Sequence, residues 1–250
     1  MSHTINIGGV EDCVFMSVSY SPDNKPIKAN LGLVEYSNKC TSQANLGKGG
    51  GTRIMINAIL EYVHTSIFKG ESIDVSFDDM SRIECATEDD IIIARNRFPN
   101  LRERALIQPV ELNLFSIAFN GCTWYEKYFN ASLENEEDHQ KYRENVEKLL
   151  KHKPTIQELG LNSETLPLLL DIYESNITFQ QLCHKIPIKD RCYHAQMWLI
   201  SYVNSQIKYF QNKGWIIKLP MAMRGGSKGK GSRKYYCPKG FMRSYSTRRK

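Results

Sequence analysis

An α/β fold of the α+β kind, with helices flanking a mixed and mostly antiparallel sheet, is predicted by three features of the 250-residue chain. Two alternating segments near the start are separated by turn residues. A glycine cluster then runs directly into an amphipathic helix and on to a third strand, and beyond residue 134 the apolar residues recur at helical spacing. The length allows one sizeable core, or one domain with an accessory segment. Hydrophobic residues at 41% and charged residues at 24% are the proportions of a soluble globular protein.

Asp12 to Ser19 sets Cys13, Phe15 and Ser17 on one side and Val14, Met16 and Val18 on the other, as a strand does. Ser21-Pro22-Asp23-Asn24 is turn chemistry, and Ile27 to Tyr36 reads as the return strand of an antiparallel hairpin. Ser37 to Asn45 is polar, a loop or a short further strand. Gly47, Gly49, Gly50 and Gly51 let the backbone approach a ligand closely, and Thr52 to Met55 would offer the unpaired N–H groups of a helix's first turn. Met55, Ala58, Ile59, Tyr62 and Val63 form that helix's packed face, and Gly70 marks its stop. Ile73, Val75 and Phe77 then alternate over a strand, Ser72 to Phe77. Asp78, Asp79 and Ser81 follow its carboxyl end, where ligands sit in α/β sheets; the plainer reading of Asp78-Asp79 is a turn followed by a helix cap.

Arg82 to Pro109 combines a short apolar run, Pro99 and five arginines counting Arg82, and receives no function. Glu111 to Phe119 reads as a strand and Asn120-Gly121 as a tight turn. Cys122 to Ala131 follows with Trp124, Tyr125, Tyr128 and Phe129 at helical spacing. Glu134 to His152 is a charged helix edged by Val146, Leu149 and Leu150 and ended by Pro154. Thr165 to Tyr173, Phe179 to Ile186 and His194 to Phe210 suggest further helices, so Glu134 to Leu219 reads as helical. The expected domains are therefore 1–133, a helical subdomain 134–220 and a flexible basic tail 221–250.

No run approaches the roughly 20 apolar residues that span a bilayer, and the start, MSHTINIGGVED, has neither basic residues nor an apolar signal core. A cytoplasmic, intracellular protein without membrane association is expected, which makes the sequons at Asn130 and Asn176 irrelevant. Seven scattered cysteines with no C-x-x-C pair read as reduced structural thiols. Cys183-His184 and Cys192-x-His194 match no common zinc spacing and read as buried thiols and surface histidines, so no metal is expected. Lys48 has no Ser or Thr after it, which argues against a nucleotide P-loop.

The net charge of +6 is unevenly divided. Beyond Asp190 lie 14 Lys and Arg and no acid, leaving 19 basic residues against all 27 acids before it, so the body is −8 and the last 60 residues +14. In the tail, Arg224, Lys228, Lys230, Arg233, Lys234, Lys239, Arg243, Arg248 and Arg249 are interleaved with Tyr235, Tyr236, Phe241 and Tyr245. Such a segment suits phosphates and unpaired bases of a nucleic acid, or another polyanion.

Two segments resemble the GNAT superfamily of acyl-CoA-dependent N-acyltransferases. GKGGGTRIMINAILEYV is similar to that family's Q/R-x-x-G-x-G/A loop and helix, with Gly49 and Gly51 on its two glycines. Trp124 to Phe129, WYEKYF, is similar to its LYEKLGF segment, with Tyr125 on the tyrosine. The resemblance implies an open V-shaped mixed sheet with acetyl-CoA as co-substrate and an amine as acceptor. It implies that Lys48, Gly49, Gly50, Gly51, Thr52 and Arg53 hold the CoA pyrophosphate, Lys48 or Arg53 replacing the family's Gln or Arg where this chain has Leu46. Tyr125 would protonate the departing thiolate, with Glu35, Asp78 and Asp79 as candidate bases. The alternative is a non-enzymatic structural or nucleic-acid-associated protein on a degenerate acyltransferase fold. A fainter likeness to proteins of large cytoplasmic DNA viruses adds a virion or infected cell as a setting.

Overall fold

The computed structural model describes residues 1–8, 12–34, 50–79, 81–83, 92, 96, 109–161, 165–207, 210 and 213–220. In chain order its principal strands and helices are β1 (Ser2–Gly8), β2 (Asp12–Tyr20), β3 (Pro26–Val34), α1 (Gly50–Tyr62), β4 (Ile73–Phe77), β5 (Arg82–Ile83), β6 (Val110–Glu111), α2 (Leu112–Asn120), α3 (Trp124–Phe129), β7 (Ser132–Leu133), α4 (Glu136–Lys151), α5 (Phe179–Lys185), α6 (Arg191–His194), α7 (Ile200–Gln206) and β8 (Trp215–Leu219). They fall into two compact units. One gathers Met1–Asp79, Tyr128–Gln140 and the chain from Phe210 through β8; the other gathers Met80–Lys127 and Lys141–Tyr209.

The first unit is built on a six-stranded sheet in the order β1-β2-β3-β4-β8-β7. Every neighbouring pair is antiparallel except β3 and β4. The register explains why the sheet forms. Met16 pairs with Leu31, Leu31 with Phe77, Phe77 with Trp215 and Trp215 with Leu133, one continuous row of buried apolar side chains. A second row runs Val18, Ala29, Val75, Ile217 and is fully buried. Period-two patterning in each strand therefore becomes a core only because four registers agree. On the other face the Phe15 ring lies across β3 at Gly32, where a Cβ would sit 2.2 Å from it.

Connecting two parallel strands requires a crossover, and α1 supplies it between β3 and β4. It buries Met55, Ile56, Ile59 and Leu60, and Val63 directly after it is buried as well. The expected face is thus displaced: Ala58 and Tyr62 point to solvent, Tyr62 being 51% exposed. Beyond α1 a π-helical turn, Val63–Ile67, leads to Gly70, whose φ of 84° only glycine adopts readily and whose N–H donates to the His64 carbonyl at 2.8 Å.

Among its described residues, the second unit is helical apart from the short ribbon in which β5 pairs with β6. Glu111 to Phe119 is not a strand. Only Val110–Glu111 extends, and Leu112–Asn120 is helical because Asn113, Leu114, Ser116, Ile117, Ala118 and Phe119 are all buried, so no polar face marks its period. Asn120-Gly121 is accordingly no hairpin turn. Gly121 ends α2 in the left-handed conformation, φ 72°, with its N–H on the Ile117 carbonyl at 2.8 Å.

α4 buries Tyr142 together with the expected Val146, Leu149 and Leu150. α5 opens with a capping box between Thr178 and Gln181. Thr165 to Tyr173 forms one 3-10 turn, Leu166–Leu168, in place of a helix. The expected helix from His194 to Phe210 starts earlier and ends sooner, as α6, a π-helical stretch Ala195–Leu199, and α7.

Three other expectations are corrected. The helical reading to Leu219 fails at β8, which lies inside the sheet, and β1 was not foreseen. The aromatic face of α3 buries Tyr125 and Phe129 but leaves Tyr128 37% exposed. Cys122 and Cys192 are both disulfide-bonded instead of reduced, while Cys183 is a buried free thiol; pairing depends on positions in space, which spacing along the chain does not report.

Candidate functional site

The predicted site residues divide between the two units. In the first, β3 and β4 run parallel from Ala29↔Val75 to Leu31↔Phe77, so both strands exit at one end of the sheet. Asp78 and Asp79 follow Phe77 there, Asp78 exposed and Asp79 half-buried. They precede the two-residue strand β5, so Asp78-Asp79 opens no helix. As a crossover helix, α1 runs back over the sheet toward the start of β4, and its first turn belongs to the end where both parallel strands finish.

That first turn starts at Gly50, two residues before Thr52. The unpaired amides are therefore those of the glycines and Thr52, while Ile54 and Met55 donate within the helix. No acidic residue occupies the first turn, leaving the positive end of the helix dipole without a carboxylate from its own helix. Thr52 is half-buried and Arg53 exposed, the guanidinium of Arg53 standing 5.2 Å above the Tyr128 ring. Tyr128 holds that cation by its ring face. Glu35, Lys48 and Gly49 lie outside the described residues, as do Arg224, Lys228, Lys230, Arg233, Lys234, Lys239, Arg243, Arg248 and Arg249.

In the second unit, Tyr125 sits in the first turn of α3 and is 3% exposed. Its position is fixed from several sides. The Glu126 N–H donates to Thr123 Oγ1 at 3.1 Å, and the Thr123 N–H donates to Glu126 Oε2 at 2.7 Å, closing a capping box around the start of the helix. The same Oε2 accepts the Tyr142 hydroxyl at 2.6 Å, and Oε1 accepts Arg143 at 3.3 Å. Arg143 also donates to the Gly121 carbonyl at 3.2 Å. The Tyr125 ring packs edge-on against Trp124, centroids 5.1 Å apart, and its Oη lies 3.4 Å from Ser81 Oγ. Ser81 is anchored by its carbonyl, which accepts the Leu112 N–H at 2.9 Å.

The sequence pattern places Ser81 only beyond the carboxyl end of β4 and gives Thr123 and Glu126 no part in the site. The T-x-x-E spacing of Thr123 and Glu126 was a readable signal of the capping box. Nothing local could have linked Ser81 to a tyrosine 44 residues away. Nearby, Lys127 donates to Asn120 Oδ1 at 2.8 Å, and burial holds its ammonium below the ordinary lysine range.

Chemically, an α1 start rich in glycine and lacking acid can take a phosphate on its amides. A buried phenol beside a hydroxyl can give and regain a proton.

The Cys183-His184 and Cys192-x-His194 pairs form no ligand set. His194 is buried, not a surface residue, and its Nδ1 accepts the Trp198 indole N–H at 3.1 Å. Burial pushes the Cys183 thiol up, away from the thiolate a metal needs. Among the described residues, no group of three or more His, Cys, Asp or Glu gathers into a metal site, and no helix is long and apolar enough to cross a membrane.

No protein-family model, curated protein or solved structure matches this chain.

Proposed function

We propose that the chain transfers an acyl group from acyl-CoA to an amine. The observation that carries this reading is the parallel pair within the six-stranded sheet, β3 and β4, joined through a helix that starts on glycines and has no acid in its first turn. A diphosphate is stabilised by such an N-terminus through unpaired amides and the helix dipole, and by little else that a neutral loop can offer. In this reading Gly50, Gly51, Thr52 and Arg53, with Lys48 and Gly49, hold the CoA pyrophosphate. Asp78 or Asp79, at the same end of the parallel pair, takes the proton that the attacking amine must lose. The nucleophile is the amine itself, so no acyl-enzyme is required.

Calorimetry of the full chain with acetyl-CoA is the test. Saturable binding that falls at least tenfold in Gly50→Glu is expected, because a carboxylate on the first turn repels the diphosphate. Absence of binding at millimolar acetyl-CoA removes the reading.

A second reading, a non-enzymatic nucleic-acid-associated protein, is favoured by the +14 balance of the last 60 residues. It predicts a salt-sensitive affinity for single-stranded DNA or RNA that is lost when Gly225 to Lys250 are deleted. An affinity unchanged by that deletion rules the tail out as its source.

A further inference from the structure

We infer that β1 is a self-association edge, which pairs antiparallel with β1 of a second copy of this chain. Sheets blunt their outer edges with charges, proline or very short strands. The edge at β7 follows this rule, since that strand is two residues long. β1 does not. It runs seven residues, SHTINIG, without Lys, Arg, Asp, Glu or Pro, and among the described residues no strand pairs with its outer side. Ser2, His3 and Thr4 are exposed.

Backbone parity fixes which groups point outward. The Tyr20 N–H donates to the Met1 carbonyl at 2.9 Å, and in the antiparallel register that continues from there the backbone groups of His3, Ile5 and Ile7 turn toward β2. Those of Ser2 and Thr4 turn away. The register shifts after Ile7, so the regular pairing from Met1 to Ile7 is centred on Thr4. A two-fold axis at that point sets Thr4 opposite Thr4 of the second copy, each N–H on the other's carbonyl, and keeps like faces of the two strands together. Because β1 carries no Lys, Arg, Asp or Glu, the axis brings no like charges face to face.

Apolar surface lines the same edge. The buried row that runs from Leu133 to Met16 ends on Ile5, which is half-buried, as is Ile7 beside Val14. α1 packs over β1 and β2. Its outer flank carries Ile54, 52% exposed, Ala58, and Tyr62, 51% exposed, one stripe at i, i+4 and i+8. Arg53 leaves the opposite flank and reaches Tyr128, on the segment that leads into β7 at the far edge of the sheet, so the stripe turns toward β1. With the axis perpendicular to the sheet, α1 of both copies lies on one face, stripe toward stripe. Seven strand residues make the contact roughly 24 Å long. A sheet and one helix layer make it about 20 Å deep, hence roughly 1,000 Å² summed over both copies, the lower limit for a specific interface. The pair is therefore weak. It is also closed, because pairing uses up β1 and β7 is too short to add another copy.

The test is light scattering of the full chain across concentrations from about 1 to about 200 μM, with disulfide-linked species excluded on a non-reducing gel. The mass should rise from 28.8 kDa toward twice that value, with a midpoint on the order of 10 μM. Thr4→Pro removes the central donor without breaking a bond to β2, so it should weaken association at least tenfold while circular dichroism stays unchanged. Thr4→Ser, which keeps the N–H, should still pair. The double variant Ile54→Glu and Tyr62→Glu sets like charges against each other across the axis at exposed positions and should weaken association about tenfold. A mass that stays at 28.8 kDa throughout overturns the inference. So does a dimer that folded Thr4→Pro leaves intact, since the contact then lies elsewhere, and so does a mass that climbs past twice the monomer's. If Thr4→Pro does not fold, the double variant decides, and a dimer that it leaves unweakened overturns the inference.

Discussion

The starts of α1 and α3 solve one problem in opposite ways. Every helix begins with amides that have no partner within it. At α3 the chain supplies its own acceptors: Thr123 and Glu126 bond each other's N–H groups, and Tyr142 and Arg143 brace the carboxylate. At α1 two glycines open the helix and no acid follows in the first turn. A helix start filled by its own carboxylate repels an incoming phosphate, whereas one left without acid attracts it. The contrast says which of the two suits a ligand. It also gives Glu126 a structural task, closing the start of its own helix.

Breaking the closed start should have the largest effect. The side chains of Glu126 and Arg143 are only 10% and 17% exposed, so Glu126→Ala takes a buried acceptor from a guanidinium, a phenol and an amide together. We expect a loss of about 3 kcal/mol in urea denaturation. A loss below about 1 kcal/mol would mean that the brace is dispensable and the contrast empty. A second closed start offers a milder break. Thr178→Ala removes the capping box of α5 and should cost about 1 kcal/mol, read from the same denaturation curves.

Closing the open start sharpens the comparison, because stability and binding should move in opposite directions. Gly50→Glu improves helix propensity and places an acid in the first turn, gaining about 0.5 kcal/mol, while acetyl-CoA binding falls. If stability and binding drop together, Gly50 serves the fold and not a ligand.

The smallest effect is expected at a helix end. Burial, and after it the Arg191 charge, lowers the His184 imidazole below its ordinary 6.5. The folded chain then binds fewer protons than the unfolded one as pH falls past about 6.5. Stability linked to His184 is whole above that value and is lost as pH drops through it. Denaturation midpoints measured from about pH 7.5 down to about pH 5 should therefore decline less steeply in His184→Gln than in the native chain. Equal slopes would show that His184 does not contribute.

Elements with one polar face were legible in the residues. The β2–β3 hairpin, β4, α4 and α5 all alternate or repeat as their structures require. α2 reads as a strand because burial on nearly every side erases its period, and Glu111 and Asn113, two residues apart on either side of Leu112, imitate alternation. β8 was missed for a related reason: Trp215, Ile216 and Ile217 form an unbroken apolar run, and its partner β4 lies far back in the chain. Of the candidate site, the glycine start of α1 and the carboxylates after β4 follow from local pattern. The hydroxyl beside Tyr125 does not, because it depends on where residue 81 returns in space.

The position of β8 sets a schedule for biosynthesis. One edge of β4 has no partner until the chain has been extended from Phe77 to Trp215, since β8 is the strand that separates β4 from β7. At translation rates of roughly 5–20 residues per second, that edge waits on the order of ten seconds on the ribosome. Exposed strand edges invite foreign pairing, so a nascent chain of this protein carries that open edge of β4 until β8 arrives.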